Sequence, residues 1–179
     1  MSTVLQLTKT LSGQPQLVYD PRVNLRHYQG EEDIEPWLAL RRAAFARQRL
    51  GIRDWTRDDF EAEFLKRWWW RPEHVWMVES AVPELQHQAA VPLLGTVTLA
   101  FRGTPENAMP VVHWLTVHPA WRRRGIARML MVNLEREAWN LGHRQICLET
   151  HADWREAAVL YQALGYVPYH STATDAEAD

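Results

Sequence analysis

Residues 110–127 read PVVHWLTVHPAWRRRGIA. An apolar, β-branched run from Val111 to Val117 ends at His118-Pro119. Arg122-Arg123-Arg124-Gly125-Ile126-Ala127 follows and opens an amphipathic helix. A strand that passes through a basic, glycine-containing turn into a helix N-terminus makes an anion cradle. The first backbone N–H groups of a helix lack intrahelical partners, and the helix dipole is positive there. Gly125 has no Cβ and lets a ligand approach the backbone. Ala127 is nearly as small. The spacing is neither G-x-x-x-x-G-K-[ST] nor G-x-G-x-x-G. Three like charges in a row also read as a solvated helix end, so the flanking sequence has to decide.

Downstream, Ala127, Leu130, Met131, Leu134, Ala138 and Leu141 fall on one face of a helix over about 124–141, and Gly142 suits its C′ position. Gln145–Thr150 reads as a short strand. Asp153 caps a helix through Leu164, with Gly165 at its end. Tyr166–His170 reads as a last strand, and the acidic segment 171–179 as a frayed tail. Upstream, Val23–Tyr28 reads as a strand, followed by a helix from Ile34 to Arg49 capped by Asp33. Thr56 and Asp59 form a capping box for a second helix, whose stripe Phe60, Phe64, Trp68 stops at Pro72. His74–Glu79, Leu93–Phe101 and Val111–Val117 read as three strands.

The order strand, R-x-x-G-x-A, helix at 111–127, with A-x-x-L-Y-x-x-x-G-[FY] at 157–166, resembles the GNAT superfamily of acyl-CoA-dependent N-acyltransferases. The resemblance implies one α/β (α+β) domain over 23–170. Its central sheet would be mixed and mostly antiparallel, with splayed central strands and flanking helices. Residues 1–22 would be an N-terminal arm and 171–179 a flexible tail. It further implies acetyl-CoA as co-substrate and transfer of the acetyl group to a primary amine by direct attack in a ternary complex. Leu115 and Val117 would give main-chain contacts, with an N–H near Leu115 polarising the thioester carbonyl. The pyrophosphate would rest on Arg122, Arg123, Arg124, Gly125, Ile126 and Ala127. Tyr161 would protonate the departing thiolate; packing alone also explains an aromatic there.

The general base stays open among His113, Glu149, His118 and His151. Period-2 alternation puts His113 on the face of Leu115 and Val117, and histidine titrates near working pH. Two features depart from the family pattern. Trp154 stands where an Asn is usual, and little chain follows Tyr166 for the last strands. Either the arm 3–19 or a second subunit of a homodimer would fill that vacancy. A non-catalytic acyl-CoA-binding or sensor domain is the alternative function, and an adenine-nucleotide module a third.

Composition narrows the classes. The 179 residues are 46% hydrophobic with net charge −2, so no global field favours nucleic acid or an anionic membrane. Cys147 is the sole cysteine, which excludes a Cys-based zinc site and a disulfide within the chain. It lies mid-strand among apolar residues, unlike a covalent relay. The eight histidines show no metal-ligand spacing. No signal or membrane segment is evident, and a cytoplasmic location is the expectation. The resemblance implies that the first two helices and their loop form the acceptor wall. Trp55 and Trp68-Trp69-Trp70 stand there beside Asp54, Asp58, Asp59, Glu61 and Glu63. This aromatic, acidic set would suit a small-molecule or peptide amine acceptor, while core packing with a dimer contact also explains these residues. At least one of the three consecutive tryptophans has to be exposed or meet a ligand.

Overall fold

The computed structural model describes residues 4–46, 53–82, 92–152 and 154–169. The predicted helix end at 47–49, the connection 83–90, the Asp153 cap and the tail lie outside them. Seven strands form one sheet: β1 (Val4–Thr10), β2 (Val23–His27), β3 (Val75–Ser80), β4 (Leu93–Arg102), β5 (Met109–Val117), β6 (Gln145–His151) and β7 (Val167–Pro168). Their order is β2-β3-β4-β5-β6-β1-β7. All pairings are antiparallel except β5 with β6. The mixed, mostly antiparallel sheet is the one expected. β1 comes from the N-terminal arm and pairs with β6 from Val4↔His151 to Thr10↔Gln145.

Strand alternation distributes two cores. Val75 and Met77 face α1 (Ile34–Phe45) and α2 (Arg57–Phe60), joining Trp37, Phe60 and Phe64. Trp76 and Val78 face the opposite layer, with Leu130 and Leu134 of α3 (Ile126–Asn140) and Tyr161 of α4 (Arg155–Ala163). Both α3 and α4 end in a Schellman motif. His143 N–H donates to Ala138 O and Gly142 N–H to Trp139 O; Tyr166 N–H donates to Tyr161 O and Gly165 N–H to Gln162 O. Both glycines have positive φ, which glycine adopts without Cβ strain.

Three local readings change. The Thr56–Asp59 capping box forms, but the helix widens into a π turn over Glu61–Leu65 and ends, so Trp68 is not on it. Asp33 is the N-cap of α1 without a side-chain cap bond. Its carboxylate instead receives Arg26 Nη2 at 2.7 Å, Arg26 Nη1 at 2.9 Å and Gln29 N–H at 2.8 Å; a guanidinium partner stabilises a buried charge more than a cap would. Finally, β5 is not evenly alternating. Thr96 pairs with Thr116 but Thr98 with His113, and Trp114 has φ 50°. This β-bulge inserts one residue. His113 and Trp114 both turn toward the α1/α2 layer, while Leu115 and Val117 pack against the α3/α4 core. The predicted shared face of His113 with Leu115 and Val117 is therefore overturned.

Candidate active site

β5 and β6 meet at a single register pair, Val111↔Cys147. Beyond it the strands part around a cleft of about 400 Å³. Val112, His113, Trp114 and Leu115 line one side, and Glu149, Thr150 and His151 the other. The bulge interrupts the β4–β5 ladder at the same level, so β5 presents backbone to the cleft. Cys147 sits at the closed end, buried with Sγ 3.4 Å from Met109 Sδ, and does not line the cleft.

β5 leads into the basic turn that the sequence reads as an anion cradle. His118 N–H donates to Leu94 O, and its Nδ1 accepts from Ala120 N–H at 3.2 Å. This bond ties His118 to the turn Pro119–Trp121, and burial first, then Arg122, lowers its pKa. Arg123 (φ 63°) and Gly125 (φ 84°) are both left-handed and turn the chain into α3. A Cβ on Gly125 would meet no heavy atom within 4 Å, so the space over the helix start is open. The first N–H groups of a helix that starts here have no intrahelical partners.

The three arginines differ. Arg122 is engaged by the fold: Nη2 donates to Ala44 O at 3.2 Å, Nε to Val117 O at 3.4 Å, and Nη1 lies 3.7 Å from Glu156. It thereby joins α1, β5 and α4. Arg124 covers the Trp121 ring at 4.7 Å, and its carbonyl accepts from Arg22. Exposed Arg123 has no side-chain partner among the described residues. A second cavity of about 370 Å³ lies between Arg124–Ile126 and the arm segment Val18–Arg22. Beside it, Arg22 lowers Asp20 to a pKa of about 2.

Tyr161 lines the cleft from α4. Its hydroxyl has no hydrogen-bond partner among the described residues, and burial raises its pKa to about 12. Its ring meets Tyr166 edge-on at 5.9 Å. Among the base candidates, Glu149 is paired at the rim, with Arg102 Nη2 at 2.7 Å and Gln6 Nε2 at 3.2 Å. His151 packs against Trp154, 4.8 Å between rings. His113 lies deeper, with Nε2 2.9 Å from Glu63 Oε1 and its ring flanked by Phe64, Trp69 and Trp114.

The expected acceptor wall is only partly present. Of its carboxylates, Glu63 alone lines the cleft. Asp59 is bound by Arg53 and Glu61 by Arg57. Trp69 faces the cleft, Trp70 packs on Tyr28 and Phe64, and Trp68 is exposed against Phe101. Trp55 stacks on Trp37 and covers Arg41. Sequence reasoning missed Phe45 and Arg102 as lining residues. Both become neighbours of the cleft only through the α1 and β4 packing, which leaves no local signal.

Comparison with known proteins identifies the family and the fold. The family model described as "Acetyltransferase (GNAT) domain" matches residues 71–168. The chain belongs to the GNAT acetyltransferase family, for which acetyl-CoA is the consistent co-substrate. A search of curated proteins found no match. Among solved structures, the fold is similar to a GCN5-related N-acetyltransferase from Sphaerobacter thermophilus, with TM-score 0.68 and 19% identity. That likeness covers 94% of this chain and 49% of the other, so the chain spans about half the length of that relative. The NatC complex bound to Gag peptide and CoA gives TM-score 0.59, 17% identity and coverages of 83% and 87%. AAC(6')-Iy in complex with the bisubstrate analogue CoA-S-monomethyl-acetylneamine gives 0.56, 19%, 84% and 94%. At these identities the structural likeness speaks for the fold. Among the described residues, no helix is long and apolar enough to cross a membrane.

Proposed function

We propose that the protein transfers the acetyl group of acetyl-CoA to the nitrogen of a primary amine by direct attack. The observation that carries this reading is the placement of His113 and Tyr161 on one cleft, which opens where β5 bulges and parts from β6. The residues fit the co-substrate: the open space over Gly125 leaves room for a pyrophosphate at the α3 N-terminus. Gly125, Ile126, Ala127 and Arg123 would hold it, with β5 backbone at Leu115 and Val117 along the pantetheine arm. Acetyl-CoA supplies an activated acyl group.

The chain's own groups divide the remaining work. An N–H of β5 beside the bulge, near Leu115, donates to the carbonyl oxygen as negative charge grows on it. His113 takes the proton that the amine loses as its C–N bond forms, directly or through a water. Tyr161 donates a hydrogen bond to sulfur as the C–S bond breaks. A phenol at about 12 does not readily surrender its proton to a thiolate whose acid has a pKa of about 8.5. Tyr161 therefore works chiefly by stabilising the thiolate, which takes its proton afterwards. The aromatic lining of Phe45, Trp69, Trp114 and Trp154 suits an acceptor with an apolar or aromatic body.

A non-catalytic acyl-CoA sensor is the second reading, favoured by Trp154, whose ring borders the cleft where the family pattern has an amide side chain. Thiol release from acetyl-CoA against a panel of amines, with the product mass measured, tests both. Amine-dependent release with a product heavier by one acetyl group is expected. Acetyl-CoA binding without release for any amine would favour the sensor, and no binding would remove both.

A further inference from the structure

Resting on the acyl-transfer reading above, we propose that Glu63 is a positioning residue for His113, fixing which imidazole nitrogen serves as the base. The observation is a three-membered arrangement that runs from the segment after α2 to β5. Arg67 Nη2 lies 3.2 Å from Glu63 Oε2, and Glu63 Oε1 lies 2.9 Å from His113 Nε2. Both members of the Glu63–His113 pair line the cleft. Nε2 has no exposed surface. Its approach to the carboxylate is short but oblique, outside the geometry of an aligned hydrogen bond. A bare nitrogen lone pair at 2.9 Å from a carboxylate oxygen would be repelled, so Nε2 carries the proton and Nδ1 is left as the basic nitrogen.

The surroundings support that assignment. His113 sits on the bulge that turns it out of the α3/α4 core. Phe64, Trp69 and Trp114 flank its ring at 5.6, 5.7 and 6.1 Å and restrict its rotation. Glu63 itself lies on the π turn of Glu61–Leu65, a local widening often found at functional sites. His113 is the largest influence lowering the Glu63 pKa, against burial, and Arg67 adds to it. The carboxylate stays ionised and would stabilise the imidazolium formed when His113 accepts a proton. The other groups around the cleft are Arg102 from β4, Glu149 and His151 from β6, and Tyr161 from α4. Glu149 is turned to Arg102.

Kinetics of the full chain with the best amine of the panel provide the test. Glu63→Gln keeps the shape and removes the charge. Its kcat is expected to fall about 10- to 100-fold with KM for acetyl-CoA unchanged. The acid limb of the kcat/KM profile should move to lower pH, because the imidazolium loses its neighbouring charge. His113→Asn should lose about 100-fold or more, and the double variant should be no slower, since residues that act as a unit are non-additive. An unchanged profile in Glu63→Gln, or additive losses, would overturn the proposal while leaving the acyl-transfer reading intact. If the parent itself shows no amine-dependent thiol release, the reading beneath it fails as well. Should Glu63→Gln not fold, carboxyl NMR decides: Glu63 is expected to titrate below the ordinary range in the parent and to rise in His113→Asn. No change between those two proteins would overturn the pairing.

Discussion

Gly95 lies directly beneath Ile126: a Cβ on Gly95 would stand 2.9 Å from Ile126 Cγ2 and 3.1 Å from Leu130 Cδ1. The carbonyl oxygen of Thr116 would be 3.3 Å away. The first turn of α3 therefore rests on bare β4 backbone, and the height of that turn sets where its free N–H groups stand. Gly95→Ala is expected to destabilise the protein by about 1–3 kcal/mol, the usual cost of overpacking. It should also weaken CoA binding, because the cradle has to rise with the helix. Thermal unfolding and calorimetry would measure both. An unchanged melting temperature would mean that α3 is not seated as described.

Gly125 makes the opposite case, with no neighbour for an added Cβ and φ at 84°. A non-glycine residue there costs about 1–2 kcal/mol of backbone strain but no clash. Gly125→Glu should stay folded and place a carboxylate over the helix N-terminus. We expect CoA affinity to fall at least 100-fold by calorimetry, and Gly125→Ala to lose much less. Equal affinity in the glutamate variant would remove the cradle from the binding site.

Much of this arrangement is legible in the chain. The 111–127 and 157–166 segments announce the strand, the cradle and the Tyr161 helix because each signal is local: β-branched residues, glycines at turns, an apolar helical face. The bulge at Trp114 is not legible. It depends on the β4–β5 register, and a single strand's alternation carries no record of its partner. The same reason hid Glu63 among other acids of its segment. Only the packed α2 wall selects it for His113 and assigns Asp59 to Arg53. The place of the arm is equally hidden: β1 lies in the sheet between β6 and β7, a long-range pairing that its own weak alternation does not announce.

Tyr161→Phe separates packing from chemistry. The ring contact with Tyr166 survives, while the hydroxyl of this cleft-lining residue is lost. Turnover should drop toward the lower end of the acid–base range, about 100-fold, because a phenol held at about 12 stabilises the thiolate without fully protonating it. CoA affinity and unfolding temperature should be close to the parent's. Turnover within twofold of the parent would take Tyr161 out of the mechanism.

Asp33 predicts the acid side of the stability curve. Burial raises its pKa, but Arg26 and the Gln29 N–H outweigh that and hold it below the ordinary 3.8. A depressed carboxyl contributes stability that is complete above its unfolded pKa and is lost as pH falls through the folded value. The parent should therefore weaken as pH drops below about 4. Asp33→Asn should cost about 1.5–3 kcal/mol at pH 7, the range for charged hydrogen bonds, and lose less on acidification. Urea unfolding of both proteins at pH 7 and pH 3 would show it. Parallel losses in the two would assign the acid sensitivity to other carboxylates.

Lys9 ties the arm to the domain through a buried acid. Its Nζ lies 2.7 Å from Glu135 Oε2, and Glu135, 2% exposed, also accepts from the Tyr166 hydroxyl at 3.1 Å. One carboxylate thus joins β1, α3 and the turn after α4. Taking away the ammonium leaves a buried carboxylate with a neutral donor alone, and breaking such a pair typically costs about 3–5 kcal/mol. Lys9 is partly open to water, so Lys9→Met should fall at the lower end, about 3 kcal/mol. Replacing both partners removes the stranded charge, and Lys9→Met with Glu135→Gln should recover most of the loss. The loosened C-terminal turn carries Tyr166 against Tyr161, so the single variant should also turn over more slowly than the double. Denaturant unfolding and steady-state rates on the parent, Lys9→Met, Glu135→Gln and the double variant would measure both effects. A double variant as unstable as the sum of its singles would mean that the Lys9–Glu135 contact does not hold the arm.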